Sequence, residues 1–479
     1  MMKQILTEKT LNFNSLEEIV FREMCKLGCD CLKNLLEQKD AKLLEERDKS
    51  KYENRGLKAT HIDTRMGRVE FARHQYRYKD EDGKACVTYL LDEELEIFSL
   101  GKISSQLIEM MATQVTKNAY RPAAKAISDG TGMTVSHTTL WNIAGKIGER
   151  IEEEERERIK EMESGYNPGS KEVEVLFEEA DGVYISLQGQ DRKDKGKRRE
   201  LKVGVIYEGW EKEGENRYKL VEKSVCSSFE SGKEFKKIKD SMINSKYNMD
   251  EIKYRVQNGD GAEWIHDKDD ASIISQLDPF HIRQAIVRKI RCKDTRKIIN
   301  GLLEEQKIPL ALDVVEAYSN SVSDEKEEKR AKELYIYLKN SEDMLVVYKK
   351  RGIPLPAPPT GLEYRNMGTM EHHICDVIAQ RMKGRKGSWS IKRGSHMAKI
   401  LCAKMSGSLY DIVNTKVIAR IPEHYSQMVE EVMSAGKVPF YVGKSGDGNI
   451  RHGGMPFKDA HVTEGRKAIQ NLLKVSYSL

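Results

Sequence analysis

VEVLFEEADGVYISLQ, residues 173–188, is the stretch whose reading decides the fold. Val173, Val175, Phe177, Glu179, Asp181, Val183 and Ile185 share one face at a period of two, and the run is rich in β-branched and aromatic residues, as in a buried central strand. Asp181 therefore sits on an apolar strand face. A carboxylate there is costly unless compensated, and a divalent cation is the usual compensation. Glu179 lies on the same face and is the competing ligand.

Two other stretches supply partner acids. IKYRVQNGDGAEWI, residues 252–265, reads as a second strand broken at Gly259-Asp260-Gly261, which leaves Asp260 at a strand exit. NMGTMEHHICDVIAQRM, residues 366–382, carries Ile374, Val377 and Ile378 at helical spacing, with Glu371 in the first turn. Asp260 follows Asp181 by 79 residues and Glu371 follows Asp260 by 111. Strand, strand and helix, each giving one acid, is the layout of RNase H-like nucleotidyl transferases. Two hard cations held by such acids can activate a water or 3′-hydroxyl and stabilise the leaving oxygen of a phosphodiester. Asp376 falls about 140° round the helix from Glu371 at ~100° per residue and is set aside.

EADGVYISLQ, NGDGAEWI, LDPFH and GTMEHHICDVIAQRMKGRKGSWS together resemble the ISLre-type DDE transposases, bacterial insertion-sequence enzymes related to the Mutator-like group. The resemblance runs from about residue 60 to about 405. It implies Asp181, Asp260 and Glu371 as catalytic acids holding two Mg²⁺, with Mn²⁺ as a substitute. Asp278-Pro-Phe-His281 resembles the Asp/Cys-x-x-His element of Mutator-like enzymes, which places Asp278 and His281 second in rank. The competing view of His281 is a helix-start histidine making a local hydrogen bond.

The chain has 479 residues, 39% hydrophobic and 33% charged, which predicts a globular chain of several domains. The net charge is only +5, so any nucleic-acid surface must be local. No apolar run approaches the ~20 residues of a membrane span. MMKQILTEKT lacks a signal-type apolar core, and the expected location is the cytoplasm, in association with the nucleoid. Cys25, Cys29 and Cys31 cluster on a helix but read as core thiols rather than a zinc site.

The expected class is α/β: an RNase H-like core with a mixed five-stranded sheet, a helical insertion, and N-terminal helical, β-hairpin and helix-turn-helix regions. The divisions are 1–60, an N-terminal helix (12–50, capped by Asn14 or by Ser15 with Glu18); 61–100, a hairpin about Asp80-Glu81-Asp82-Gly83; 101–165, the helix-turn-helix and a charged spacer; 166–281 and 360–408, the core; 282–359, the insertion and a Pro-rich connector; and 409–479, a C-terminal region. Arg68, Arg73, Arg77 and Lys79 interleave with aromatics in the hairpin, which suits either nucleic acid or an ordinary half-exposed hairpin.

Ser136 is the expected cap of a recognition helix whose Leu140, Ile143 and Ile147 face inward, presenting His137, Thr138, Thr139 and Asn142 to bases. The alternative is a plain three-helix packing domain. Residues 191–200 read as a basic hairpin tip, with Lys197, Arg198 and Arg199 at its exit. Residues 282–297 carry Arg288, Lys289 and Arg291 in a run with one acid, Asp294. Residues 381–399 carry Arg381, Arg385, Lys386, Lys392, Arg393 and Lys399 with no acid, and Trp389 as a stacking aromatic. Gly443-Lys444-Ser445 fails as a P-loop because Val438 stands where its first glycine belongs.

These features predict a DDE transposase that binds terminal inverted repeats of double-stranded DNA and cuts and joins strands as a dimer or higher assembly, with no membrane partner. Two other readings stay open: an inactive or domesticated DNA-binding relative, and a metal-dependent nuclease without strand transfer.

Overall fold

The computed structural model describes residues 12–97, 100–266, 272–370 and 378–413. The expected C-terminal region beyond 413, including the 443–445 loop and a closing helix at 463–474, lies outside the described residues.

Helix α1, Phe13–Glu46, is capped by Asn12, whose side chain accepts from the Ser15 amide; Asn14 and Ser15 are inside the helix rather than at its cap. Its second half packs Cys29, Leu32, Leu36 and Leu43 against Ile62, Val69 and Phe71. Those three belong to a three-stranded antiparallel sheet of β1 (Glu53–Thr64), β2 (Gly67–Lys79) and β3 (Ala85–Thr88). The β2–β3 turn falls at the expected acidic tetrapeptide, but the sheet begins at Glu53, inside the segment read as helical N-terminus. A short helix α2, Leu90–Glu94, follows.

Three helices come next: α3 (Ser105–Lys117), α4 (Tyr120–Gly130) and α5 (His137–Glu163). Ser136 caps α5 by accepting from the Thr139 amide, and Leu140, Ile143 and Ile147 are buried, as expected. The charged spacer is not separate. It continues α5, buries Ile151 and Glu155, and contacts two helices of the following layer.

The central sheet has five strands in the order β10-β9-β4-β5-β8. These are β4 (Val175–Ser186), β5 (Arg198–Tyr207), β8 (Ser224–Ser228), β9 (Tyr254–Gly259) and β10 (Ile273–Leu277). Strands β4, β5 and β8 form an antiparallel meander, while β9 and β10 add in parallel on the other side of β4. Between β4 and β5 stands a short helix α6, Gly189–Lys195, where a hairpin tip was expected; β5 starts only at Arg198, because Gly196 at φ +91° turns the chain back. Strands β6 (Gly209–Lys212) and β7 (Tyr218–Val221) leave the sheet to pair with β11 (Leu362–Glu363).

Helix α7, Gly232–Lys246, is the crossover from β8 to β9 and covers the face bearing Leu176 and Ile206. The opposite face, with Phe177, Val183, Val203 and Val205, shares its core with Met382, Trp389, Met397 and Ile400. The last two belong to α12, Ile391–Ser406. The insertion comprises α8 (Pro279–Lys289), α9 (Lys293–Glu304), α10 (Ile308–Ser321) and α11 (Glu325–Asn340), with its own apolar core around Ile286, Ile299, Val315 and Leu334. The chain is thus a mixed α/β protein, and no described helix is long and apolar enough to cross a membrane.

Candidate active site at the ends of the parallel strands

Strand register brings Asp181 and Asp260 together. In the parallel pair β4–β9, Val175 lies opposite Tyr254 and Glu179 opposite Asn258. Carrying that register on by two residues sets Asp260 beside Asp181. The sequence separation of the two acids equals the offset of the strand pairing, 79 residues, as for Glu179 and Asn258. Adjacent residues on parallel strands project to the same face. Strand β10 adds a third acid: Leu277 lies opposite Gly259, and the Asp278 amide donates to the Gly259 carbonyl at 2.7 Å. Asp260 and Asp278 therefore stand just past the ends of β9 and β10, beside Asp181, which β4 carries beyond its last parallel pair with β9; this is the carboxyl-terminal edge of the parallel pairing, where open α/β sheets place their sites.

Local chemistry aims each group. Gly261 at φ +91° makes the sharp exit after β9, and Asp260 Oδ1 accepts from the Ala262 amide at 2.9 Å. A Cβ at Gly259 would come within 3.0 Å of the Ala180 carbonyl, so the strands close up only with glycine there. Asp278 caps α8, accepting from the Phe280 amide at 2.8 Å, with Pro279 in the first turn. His281 follows on that turn, and its Nε2 lies 3.5 Å from Asp181 Oδ2. Its contact is with the acid cluster, not the purely local bond of the competing view.

Electrostatics follow from this crowding. Burial raises the Asp260 carboxyl above its ordinary range and the Asp181 charge adds to it, against the Ala262 hydrogen bond. Asp278 is raised by burial too, with a smaller contribution from Asp181. His281 is raised because Asp181 accepts from and attracts its ring, which outweighs burial. The acidic rim thus favours bound positive charge. Its donors are carboxylate oxygens, the set suited to hard divalent cations. Among the described residues no group of three or more His, Cys, Asp or Glu closes into a metal cage. The third expected acid, Glu371, lies outside the described residues, as does Asp376.

The segment leading to Glu371 is nonetheless anchored to this face. Glu179 is 1% exposed. It accepts from the Gly368 amide at 3.0 Å, the Thr369 amide and hydroxyl at 2.8 Å each, Tyr207 Oη at 2.6 Å and Asn258 Nδ2 at 3.2 Å. Burial raises its carboxyl despite those bonds. Glu179 therefore ties Thr369 to the strand that bears Asp181 and is closed off from solvent, which answers its competing claim as an open ligand.

Two residues at the rim carried no sequence signal. Glu200 on β5 adds charge near Asp260, and a Cβ at Gly182 would meet its Oε1 at 2.3 Å. Tyr337 on α11 donates to the Asp260 carbonyl at 3.1 Å. Its phenol is pushed up to about 12 by burial and then by Asp260 and Asp278. Alternation along β5 placed Glu200 on a face but not against Asp260; for Tyr337, 77 residues away, nothing local exists to read.

The expected nucleic-acid residues fare unevenly. His137, Thr138 and Asn142 are exposed at the start of α5, and Thr139 is half-buried. Lys197 and Arg198 are exposed, whereas Arg199 donates to the Phe229 carbonyl at 3.2 Å. In the insertion Arg288 is exposed, but Lys289 pairs with Glu333 at 2.6 Å and Arg291 with Asp324 at 3.1 Å, so part of the one-sided run is answered by acids of or next to α11. Lys386 is exposed, Lys392 pairs with Glu149 at 2.9 Å, and the Arg393 guanidinium lies 3.6 Å from the centroid of the Trp141 ring. Arg381 donates to the Val115 carbonyl at 2.5 Å. The side chain of Arg385 lies outside the described residues. Trp389 is not a stacking platform: it is 8% exposed and its indole N–H donates to the Met382 carbonyl at 2.9 Å. Lys399 is buried against Glu155 rather than offered to phosphate. An apolar ring gains by leaving water, and the desolvation cost of a buried cation is offset by the carboxylate paired with it.

Comparison with known proteins adds one relative and one family. A Streptococcus gallolyticus protein, the "UPF0236 protein in vanSb 3'region", is 25% identical over 327 residues, spanning 66% of this chain and 68% of the relative. The family model described as "Uncharacterised protein family (UPF0236)" matches residues 6–416, and the chain belongs to that family.

Proposed function

We propose that this chain is a DDE transposase of an insertion sequence, acting on double-stranded DNA in the cytoplasm at the nucleoid. The observation that carries the reading is that Asp181 on β4 and Asp260, just past the end of β9, lie two residues beyond the last parallel pair Glu179–Asn258, close enough for the Asp181 charge to act on Asp260. The sheet supports it, since a three-stranded antiparallel meander with two parallel strands added beside its first strand is the layout expected of an RNase H-like core. So does the anchoring of Thr369, two positions before Glu371 in the sequence, to Glu179 on the strand that bears Asp181.

In this reading Asp181, Asp260 and Glu371 hold two Mg²⁺, or Mn²⁺, which when bound activate the attacking oxygen and stabilise the leaving one. Asp278 caps α8 and orients His281. His281 shares a proton-dependent contact with Asp181, so its charge competes with a cation for that carboxylate. Tyr337 holds the Asp260 turn from behind. In the same reading the exposed His137, Thr138 and Asn142 at the start of α5 read element ends, and the exposed Lys197, Arg198, Arg288 and Lys386 meet phosphates. Two ends must be brought together, which calls for a dimer or larger assembly.

The test is a reaction of the wild type and Asp181→Asn with a labelled duplex carrying the inverted repeat that flanks the gene, with Mg²⁺ or Mn²⁺. Nicking at the repeat end and joining to target, both lost in the variant, are expected. Cleavage without joining would favour a nuclease. End binding by both proteins with no cleavage by either would favour a DNA-binding relative. Cleavage that survives Asp181→Asn would refute the site.

A further inference from the structure

A cavity of about 800 Å³ lies between the end of α3, the β7–β8 turn, the segment 380–387 and the last turns of α12. Lys117, Lys223, Arg381 and Lys404 line it, with the amides of Asn118 and Gln380. Among the described residues no Asp or Glu does. Two buried cations of this chain are matched: Lys239 sits on Glu178, and Lys399 on Glu155. Of the cavity's cations, Lys223 and Arg381 are half-buried and Lys117 and Lys404 exposed, and no carboxylate among the described residues lines the cavity with them. Glu222, next to Lys223, stands at φ +54° and is engaged away from it, by Lys246 at 2.9 Å and Lys171 at 3.3 Å. Among the described residues Lys404 donates to a neutral oxygen, Thr116 Oγ1, at 2.8 Å. Arg381 lies between the Trp389 and Tyr120 rings at 5.0 and 5.6 Å, and its Nη2 is buried with no hydrogen-bond partner among the described residues.

Collecting like charges in a partly dry cavity is unfavourable, and leaving them unpaired more so. The cost shows on the groups themselves. Burial lowers Lys223, Lys404 and Arg381 from their ordinary values, and the Lys117 charge lowers Lys404 further. A multiply charged anion removes both penalties. Three ammonium groups and one guanidinium, brought to the cavity by four different segments, suit an oxyanion with several acceptor oxygens.

We propose that this cavity is a phosphate-binding site. It is separate from the acidic rim. Ser224, which follows Lys223, pairs across β5 at Ile206, whereas Asp181 pairs at Val203, so the cavity opens toward the other end of the sheet, beside edge strand β8. The proposal does not depend on the transposase reading, since the phosphate has two sources: the backbone of a nucleic-acid strand or a free phosphate compound.

Thermal melting of the full chain in phosphate and in chloride of equal ionic strength tests it, with duplex binding followed by fluorescence anisotropy across a salt series. Lys223→Gln and Lys117→Gln are the variants, because neither side chain is in the core. Wild type should melt higher in phosphate, each variant should lose that rise, and Lys223→Gln should melt no lower than wild type in chloride. If the source is nucleic acid, each variant should also bind duplex about 3- to 10-fold more weakly and reduce the salt slope by about 1. Loss of the phosphate effect with unchanged duplex affinity would assign a free phosphate compound. No phosphate-specific rise in wild type, together with unchanged duplex affinity in both variants, would overturn the proposal. Asp181→Asn should keep the phosphate-specific rise whatever its own melting point in chloride, which keeps the outcome independent of the acidic site.

Discussion

Replacing Asp181 by Asn should leave the metal-free protein at least as stable as wild type, while removing its stabilisation by Mg²⁺. The register sets Asp181 and Asp260 on neighbouring strands, about 4.8 Å apart at the backbone. Two unit charges ~5 Å apart repel by ~3 kcal/mol at an effective dielectric of ~20 and by ~0.8 kcal/mol in water. Asp181 retains 14% side-chain exposure at the rim, so about 1–2 kcal/mol is the working figure. The same change loses the 3.5 Å contact to His281, which offsets about 0.5 kcal/mol. The net expectation in chelator is a gain of roughly 0.5–1.5 kcal/mol. In Mg²⁺ at ~100 times its dissociation constant, wild type should gain about 2.7 kcal/mol and overtake the variant.

Urea unfolding in chelator and in excess Mg²⁺ measures both halves. The pH dependence has a definite sign. Asp260 and Asp278 are raised, so the folded state binds more protons than the unfolded one, and stability falls as pH climbs from the ordinary Asp range through their folded values. In chelator the gap between variant and wild type should therefore narrow on acidification. A variant more than about 1 kcal/mol weaker in chelator, or one that gains from Mg²⁺ as much as wild type, would refute the paired-acid site.

Three further outcomes follow from the same geometry. His281 is raised by Asp181 and keeps its proton until pH passes its folded value, so Mg²⁺ affinity should rise with pH through that window; His281→Ala should flatten the rise, as titration calorimetry would show. Glu179→Ala strips partners from Tyr207, Asn258, Gly368 and Thr369, and should cost at least ~1–3 kcal/mol, with faster amide exchange at Gly368 and Thr369; unchanged exchange there would mean the segment is held by other contacts. Lys399→Ala leaves Glu155 buried and unpaired, and should destabilise by roughly 3–5 kcal/mol while the folded fraction binds DNA as wild type does. A specific loss of DNA affinity would return Lys399 to the phosphate contacts.

Several elements were legible in the amino-acid order because their signals are local. Alternation over 173–185 marks β4, Gly259-Asp260-Gly261 marks a strand exit, and Ser136 marks the start of α5. Each depends on backbone sterics and hydrogen bonding within a few residues. The same local reading took residues 191–200 for a hairpin tip, whereas residues up to 195 are helical, because a short basic helix and a basic loop have the same composition.

What the sequence by itself determined, then, is that Asp181 stands on a strand and Asp260 at a strand exit, and which helix face is apolar. Only the tertiary structure decided what those groups meet. Parallel pairing turned a separation of 79 residues into adjacency. Packing put Trp389 in the core, matched Lys399 to Glu155 from 244 residues away, and gathered Lys117, Lys223, Arg381 and Lys404 around one cavity. The energy of a charge is set by its partner and its distance from water, and neither is a property of the neighbouring residues in the chain.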